Sequence, residues 1–156
     1  MTRFFEDFRV GERFETDGLT ITDADIIGFA MKYDPQPFHL DREAGKRSMF
    51  EGLSASGLHT LSVTNRLMIQ TRLFRACNLG GEAFEDVRFV SPVYEGDTLR
   101  ATVEVVETEP PQTAGSPGRL RAKVTTVNQR NETVLSLLAD YRLACRPVAS
   151  EGPEQQ

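Results

Sequence analysis

The chain has 156 residues, of which 39% are hydrophobic, and a formal net charge of −5 at neutral pH. A chain of this size and composition builds one ordinary domain with its own core, which excludes collagen-like, disordered and disulfide-stapled classes. Its acidic balance leaves no basic excess to neutralise phosphates, so nucleic acid is not an expected partner.

The N-terminus, Met1-Thr2-Arg3-Phe4-Phe5-Glu6-Asp7, carries acids where a signal peptide needs an apolar stretch. No later run reaches the roughly 18 apolar residues that span a bilayer. Cys77 and Cys145 lie far apart with no metal-ligand spacing and read as reduced thiols. A cytoplasmic protein with no membrane partner is expected. Residues 13–16 suit a short strand, closed by an Asp17-Gly18 turn. Thr22 with Asp25 forms a capping-box pattern. Ile26, Ile27, Ala30, Met31 and Tyr33 then repeat at helical spacing until Pro35 stops them. The stretch Pro35-Gln36-Pro37-Phe38-His39 is not helical along its length, and Asp41 caps a helical turn over 42–47.

The small residues of 52–57 open a second helix running to Phe74. Leu58, Leu61, Val63, Leu67, Met68, Ile69, Leu73 and Phe74 cover so much of its circumference that other structure must wrap it. After Gly80 the period becomes two. Strands are predicted over 84–90 and 98–109, followed by a proline- and glycine-rich loop over 110–118. A hairpin over 120–127 and 133–146 turns at Asn128-Gln129-Arg130-Asn131. The domain thus occupies 1–146, with a polar disordered tail over 147–156. The expected class is α+β, an antiparallel sheet of about five strands curled around one helix. Its open edges suit pairing with a second copy.

Two segments carry candidate chemistry. Asp34 and His39 are five residues apart, on backbone stiffened by Pro35 and Pro37. An imidazole transfers protons near neutral pH, and a carboxylate beside it orients it or shares a water. The same residues also suit a turn cap at Asp34 and a hydrogen-bonded buried imidazole at His39, and the spacing alone does not choose. Ser54-Ala55-Ser56-Gly57 begins the long helix, where unpaired amides favour an oxyanion and a glycine lets a ligand approach. A serine cap with a packing glycine is the plainer reading. Asn65 lies two turns on, either lining the pocket or bonding to backbone. His59 and Cys77 suit packing roles better than catalysis. Two histidines without a ligand motif give no reason to expect a metal.

Taken together, the Asp34–His39 segment, Gly57 placed 18 residues after His39, and the run from Val87 through Ser91-Pro92 and Glu95-Gly96-Asp97 to Leu99 resemble the MaoC-like dehydratases. These are hot-dog-fold relatives of (R)-specific enoyl-CoA hydratases, and the resemblance spans roughly residues 8–146. It implies a hot-dog domain, a homodimer with sheets paired edge to edge, and reversible hydration of an enoyl-CoA. It implies Asp34 and His39 as the catalytic pair and the Gly57 amide as the oxyanion site, with Ser56 and Asn65 as further candidates for substrate binding. No metal or redox cofactor is implied, because coenzyme A arrives as part of the substrate. The sequence departs from the hydratase pattern at Gln36, where asparagine is usual, and at Pro35. A hot-dog thioesterase and a non-catalytic acyl-thioester-binding module are the alternatives. The thioesterase reading is weakened by the absence of any acid between Ser56 and Phe74.

Overall fold

The computed structural model describes residues 2–147, so the tail expected over 147–156 lies, apart from Pro147, outside the described residues. After a 3-10 turn at Phe5–Asp7, the chain runs β1 (Arg13–Glu15), β2 (Leu19–Thr20), α1 (Asp23–Tyr33), α2 (Pro37–Leu40), α3 (Arg42–Lys46) and α4 (Gly57–Gln70). It continues with β3 (Asn78–Phe89), β4 (Thr98–Glu109), β5 (Gly118–Val127) and β6 (Thr133–Leu143). The strands form an antiparallel sheet in the order β1-β4-β5-β6-β3, with β2 extending the β1 edge along β4. This is the hot-dog fold, with the sheet curled around α4.

The alternation read along the strands sets which face is buried. Leu99, Ala101, Val103 and Val105 of β4 point inward with Leu120, Ala122 and Val124 of β5 and Leu135, Leu137 and Ala139 of β6. They meet Val63, Leu67 and Met68 of α4 in one continuous core. Thr64 of α4 is also fully buried, and its hydroxyl is satisfied by the Thr126 hydroxyl at 2.8 Å. Such a pair removes the cost of burying two polar groups inside an apolar layer.

Among the differences from the sequence pattern, three have identifiable reasons. The helical periodicity of α4 continues to Phe74, but the helix ends at Gln70. Arg72 takes a left-handed φ of 57°, and the turn swings Phe74 into the core to stack on Tyr141, ring centres 5.1 Å apart. β3 begins at Asn78, six residues before the predicted strand, because Asn78-Leu79-Gly80-Gly81 pairs with the end of β6. The third is α2, which begins within the Pro35–His39 stretch, so that the stretch is helical only from Pro37 on. Pro35 does break α1, but Pro37 occupies the first helical position, where its fixed φ fits and no N–H is missed.

The helical excursion between β2 and β3 positions the site. The capping box holds as the sequence predicts, with the Thr22 hydroxyl accepting from the Asp25 amide and the Asp25 carboxylate accepting from the Thr22 amide. The Asp41 carboxylate likewise caps α3 through the Ala44 amide at 2.7 Å. The excursion enters from one edge of the sheet and leaves at the other. That far edge, β3, keeps its outer side unpaired among the described residues, with Phe84, Phe89 and the adjoining Val90 exposed.

Candidate active site

Three short elements converge at the start of α4. Asp34 is the residue on which α1 ends, its amide bonded to the Ala30 carbonyl. His39 sits in α2, and Ser56 caps α4 so that Gly57 is the first helical residue. The Ser54 amide bonds to the Phe38 carbonyl, tying the α2 segment to the entrance of α4.

The His39 ring is 5% exposed and its Nδ1 lies 2.6 Å from the Ser54 carbonyl oxygen. A carbonyl only accepts, so Nδ1 carries the proton and the neutral ring keeps its lone pair on Nε2. That Nε2 lies 3.6 Å from Asp34 Oδ2, too long for a direct hydrogen bond but suited to two groups gripping one small molecule. Asp34 is itself anchored. Its Oδ2 accepts from the Ser56 hydroxyl at 2.6 Å, and its Oδ1 accepts from the Gln36 amide at 2.8 Å. These donors, Ser56 foremost and then Gln36, hold the carboxyl below the usual carboxylate range against the opposing effect of burial, and protonation of His39 adds a smaller attraction. The site therefore pairs a fixed carboxylate with an imidazole presenting a free lone pair.

Both groups open into a cleft of about 460 Å³, walled mainly by apolar side chains including Phe38, Met49, Phe50, Phe89 and Val90. Gly57 lines the same cleft. As the first helical residue, it has an amide without an intrahelical partner, at the positive end of α4. A side chain there has no room: a Cβ would fall 2.8–2.9 Å from three carbons of the Phe89 ring. The glycine is thus required by a close approach, since its φ does not lie in the left-handed region.

A family model described as a MaoC-like domain matches residues 6–128. The chain belongs to the MaoC-like domain family. This is a hydratase/dehydratase family, and the MaoC-like match spans β1 to β5. The chain superposes on the crystal structure of a MaoC-like dehydratase from Rhodospirillum rubrum with a TM-score of 0.84 and 34% identity, covering 94% of this chain and 100% of that one. It is 32% identical over 129 residues to the uncharacterized protein YdeM of Bacillus subtilis, covering 83% of this chain and 90% of that protein. The (R)-hydratase from A. caviae shares the fold, with a TM-score of 0.73 at 21% identity over 88% of this chain and 98% of that one.

Within this MaoC-like site the sequence candidates fall into different places. Asp34, His39, Ser56 and Gly57 come together. Ser56, read as a substrate-binding candidate, turns its hydroxyl to Asp34 instead. Asn65 does not join them. Eight residues along α4 is about 12 Å of rise, and Asn65 lines a separate cavity with Met68, Phe74 and Tyr141. Cys77 is fully buried, and burial pushes its thiol up, which opposes nucleophilic use. The aromatic wall is not readable from the sequence pattern. Only Phe38 and Phe89 carry a signal, since each falls within a run that resembles the family.

His59 lies outside the cleft, 7% exposed, with its ring stacked on Phe29 of α1 at 4.8 Å. Its Nδ1 has no hydrogen-bond partner among the described residues. Burial lowers its pKa from the ordinary 6.5, and Asp25 only partly offsets this. With the folded value depressed, the unfolded chain takes up the proton first as pH falls. The contribution is complete above pH 6.5 and is lost below it. The melting temperature is expected to drop between neutral pH and about pH 5, and His59→Phe, which keeps the stack on Phe29, to flatten that drop. Parallel pH curves for the two proteins in thermal melts would assign the loss to another group.

Proposed function

We propose that the chain catalyses reversible hydration of a 2-enoyl-CoA to the 3-hydroxyacyl thioester, using Asp34 and His39 on one water. The observation that carries this reading is the 3.6 Å gap between His39 Nε2 and an anchored, ionised Asp34, at the mouth of an apolar cleft. In this mechanism the thioester oxygen accepts from the Gly57 amide, which draws electrons from C3 and stabilises the enolate-like charge. The Asp34 carboxylate accepts a hydrogen bond from the O–H that the water keeps, while His39 Nε2 removes the other proton. The water oxygen bonds to C3, and the proton taken by the pair is the one C2 receives, so a single water accounts for every atom added. Dehydration is the same path reversed. The reaction needs no metal or redox cofactor, and coenzyme A enters as part of the substrate.

The open β3 edge, with its exposed Phe84, Phe89 and Val90, supports a working dimer in which the β3 strands of two copies pair. The test is loss of enoyl absorbance on mixing the protein with short and medium enoyl-CoAs, run beside sedimentation of the same sample. Turnover by a species of twice the chain mass is expected. Binding without turnover would replace the proposal with a binding module, release of free thiol with a thioesterase, and activity in a single-chain species would remove the dimer.

A further inference from the structure

The hydration reading gives His59 no part in the chemistry, yet its ring occupies the joint between the helix that Asp34 ends and the helix that Ser56 begins. The buried residues of α1 are Ile26 and Ala30, so its own hold on the core rests on few side chains. Two contacts fix the end of α1 to the first turn of α4. In one, the Phe29 ring lies parallel to His59, with 4.8 Å between centres and 9° between planes. Tyr33, the residue before Asp34, packs on Phe29 at 5.0 Å. The other is the Ser56 hydroxyl on Asp34 Oδ2 at 2.6 Å. Ser56 and His59 lie three residues apart on α4, so the stack and the carboxylate move together. Nδ1 of His59 meets no acceptor among the described residues, so the neutral ring keeps its lone pair there and its proton on Nε2. A second proton has to enter at that buried nitrogen, where nothing accepts the new N–H, and it brings a charge into the joint. The charged groups around the ring are Asp25 of α1, whose carboxylate Thr22 already engages, and Arg66 of α4, which acts on Asp25. The strands packed against α4 bring no charge to it. Moving the ring into water relieves both costs at the expense of the stack.

We infer that His59 is a positioning residue for Asp34: its neutral ring holds the end of α1 against the start of α4, and a proton gained from solvent releases that end. Release takes the Asp34 carboxylate from its place 3.6 Å from His39 Nε2, where the hydration reading, on which this inference rests, needs it. The consequence is a second protonation on the acid side of the pH profile. His39 must be neutral to act as base, which by itself gives a one-proton loss of kcat/KM as pH falls. Below pH 6.5, release through His59 adds to that loss. The Asp34 carboxyl, held below 3.8, stays ionised through the same range and adds nothing to it.

The test follows kcat and KM for an enoyl-CoA from about pH 7.5 to about pH 5 in the parent, His59→Phe and His59→Ala, with thermal melts showing each protein folded at each pH. In the parent, log kcat/KM is expected to fall with a slope above one. His59→Phe keeps the stack and has no proton to gain. At neutral pH its kcat is expected within about threefold of the parent, and its acid slope should not exceed one. His59→Ala loses the stack at every pH. Its kcat is expected to drop about tenfold or more, toward the hundredfold that a displacement near 1 Å costs, with KM changed less than about threefold. Because both anchors hold one carboxylate, the double variant with Ser56→Ala should fall short of the product of the two single losses. If His59→Ala does not fold, the slopes of the other two proteins decide. A parent slope no steeper than that of His59→Phe overturns the inference and leaves the hydratase reading standing. So does a His59→Ala kcat within about threefold of the parent, or losses that simply multiply. A parent that turns over no enoyl-CoA removes the hydratase reading, and this inference with it.

Discussion

Replacing His39 with alanine is expected to lower kcat/KM for an enoyl-CoA about a thousandfold, within the range that a positioned general base contributes. The Ser54 carbonyl fixes the tautomer, so no other nitrogen of that ring can serve as base without breaking a 2.6 Å hydrogen bond. Asp34→Asn is expected to fall by a comparable factor for a different reason. The amide keeps the size of the side chain and still lies between Ser56 and Gln36, but it lacks the charge that holds the water and favours the imidazolium formed as His39 takes the proton. Because His39 is buried, its truncation leaves a void, and thermal melts must show both variants folded at the assay temperature. The Asp34→Asn variant is then the sharper test of the two, since its side-chain volume is unchanged. Activity in either folded variant within about tenfold of the parent would remove the dyad from the mechanism.

How much of this was legible in the sequence varied with how local the determinant is. The capping box of α1, the Asp41 cap and the alternation of β4 to β6 depend on residues a few positions apart, and each forms where the pattern placed it. The end of α4 depends on Phe74 reaching Tyr141 some seventy residues later, which no window of periodicity contains. β3 is irregular for the same reason. Its three register shifts and the left-handed Asp86 follow the curvature of the sheet against β6 rather than any repeat in its own residues. At the site, the aspartate–proline–histidine segment and the helix start at Gly57 are each readable as candidates, and the resemblance to a family supplies their pairing. Spacing alone did not reveal that Ser56 bonds to Asp34, since two residues 22 apart meet only because α1 packs across the start of α4. The same limit explains Asn65. Its place on the Gly57 side of the helix was readable, but what lines the far end of α4 was not.

Gly57→Ala is expected to lower activity about a hundredfold and stability by about 1–3 kcal/mol, the range for overpacking a filled site. The backbone amide survives this change, so the loss cannot be ascribed to a missing hydrogen-bond donor. The new methyl instead meets the Phe89 ring at 2.8–2.9 Å, and ring or helix start must move. Phe89 is half exposed on the β3 side of the cleft, so its ring is the freer of the two and swings toward the space where the acyl chain would lie. A displacement of about 1 Å in positioned groups costs on the order of a hundredfold in rate, which sets the size of the expected effect. If the ring is the cause, Phe89→Ala in the Gly57→Ala background removes the clash. The double variant should regain about tenfold or more in activity and be more stable than the sum of the single changes by about 1 kcal/mol or more, the coupling typical of residues in contact. Additive losses in both readouts would show that the methyl acts elsewhere, on the helix N-terminus itself. The requirement for glycine would then belong to the thioester's approach rather than to the aromatic wall.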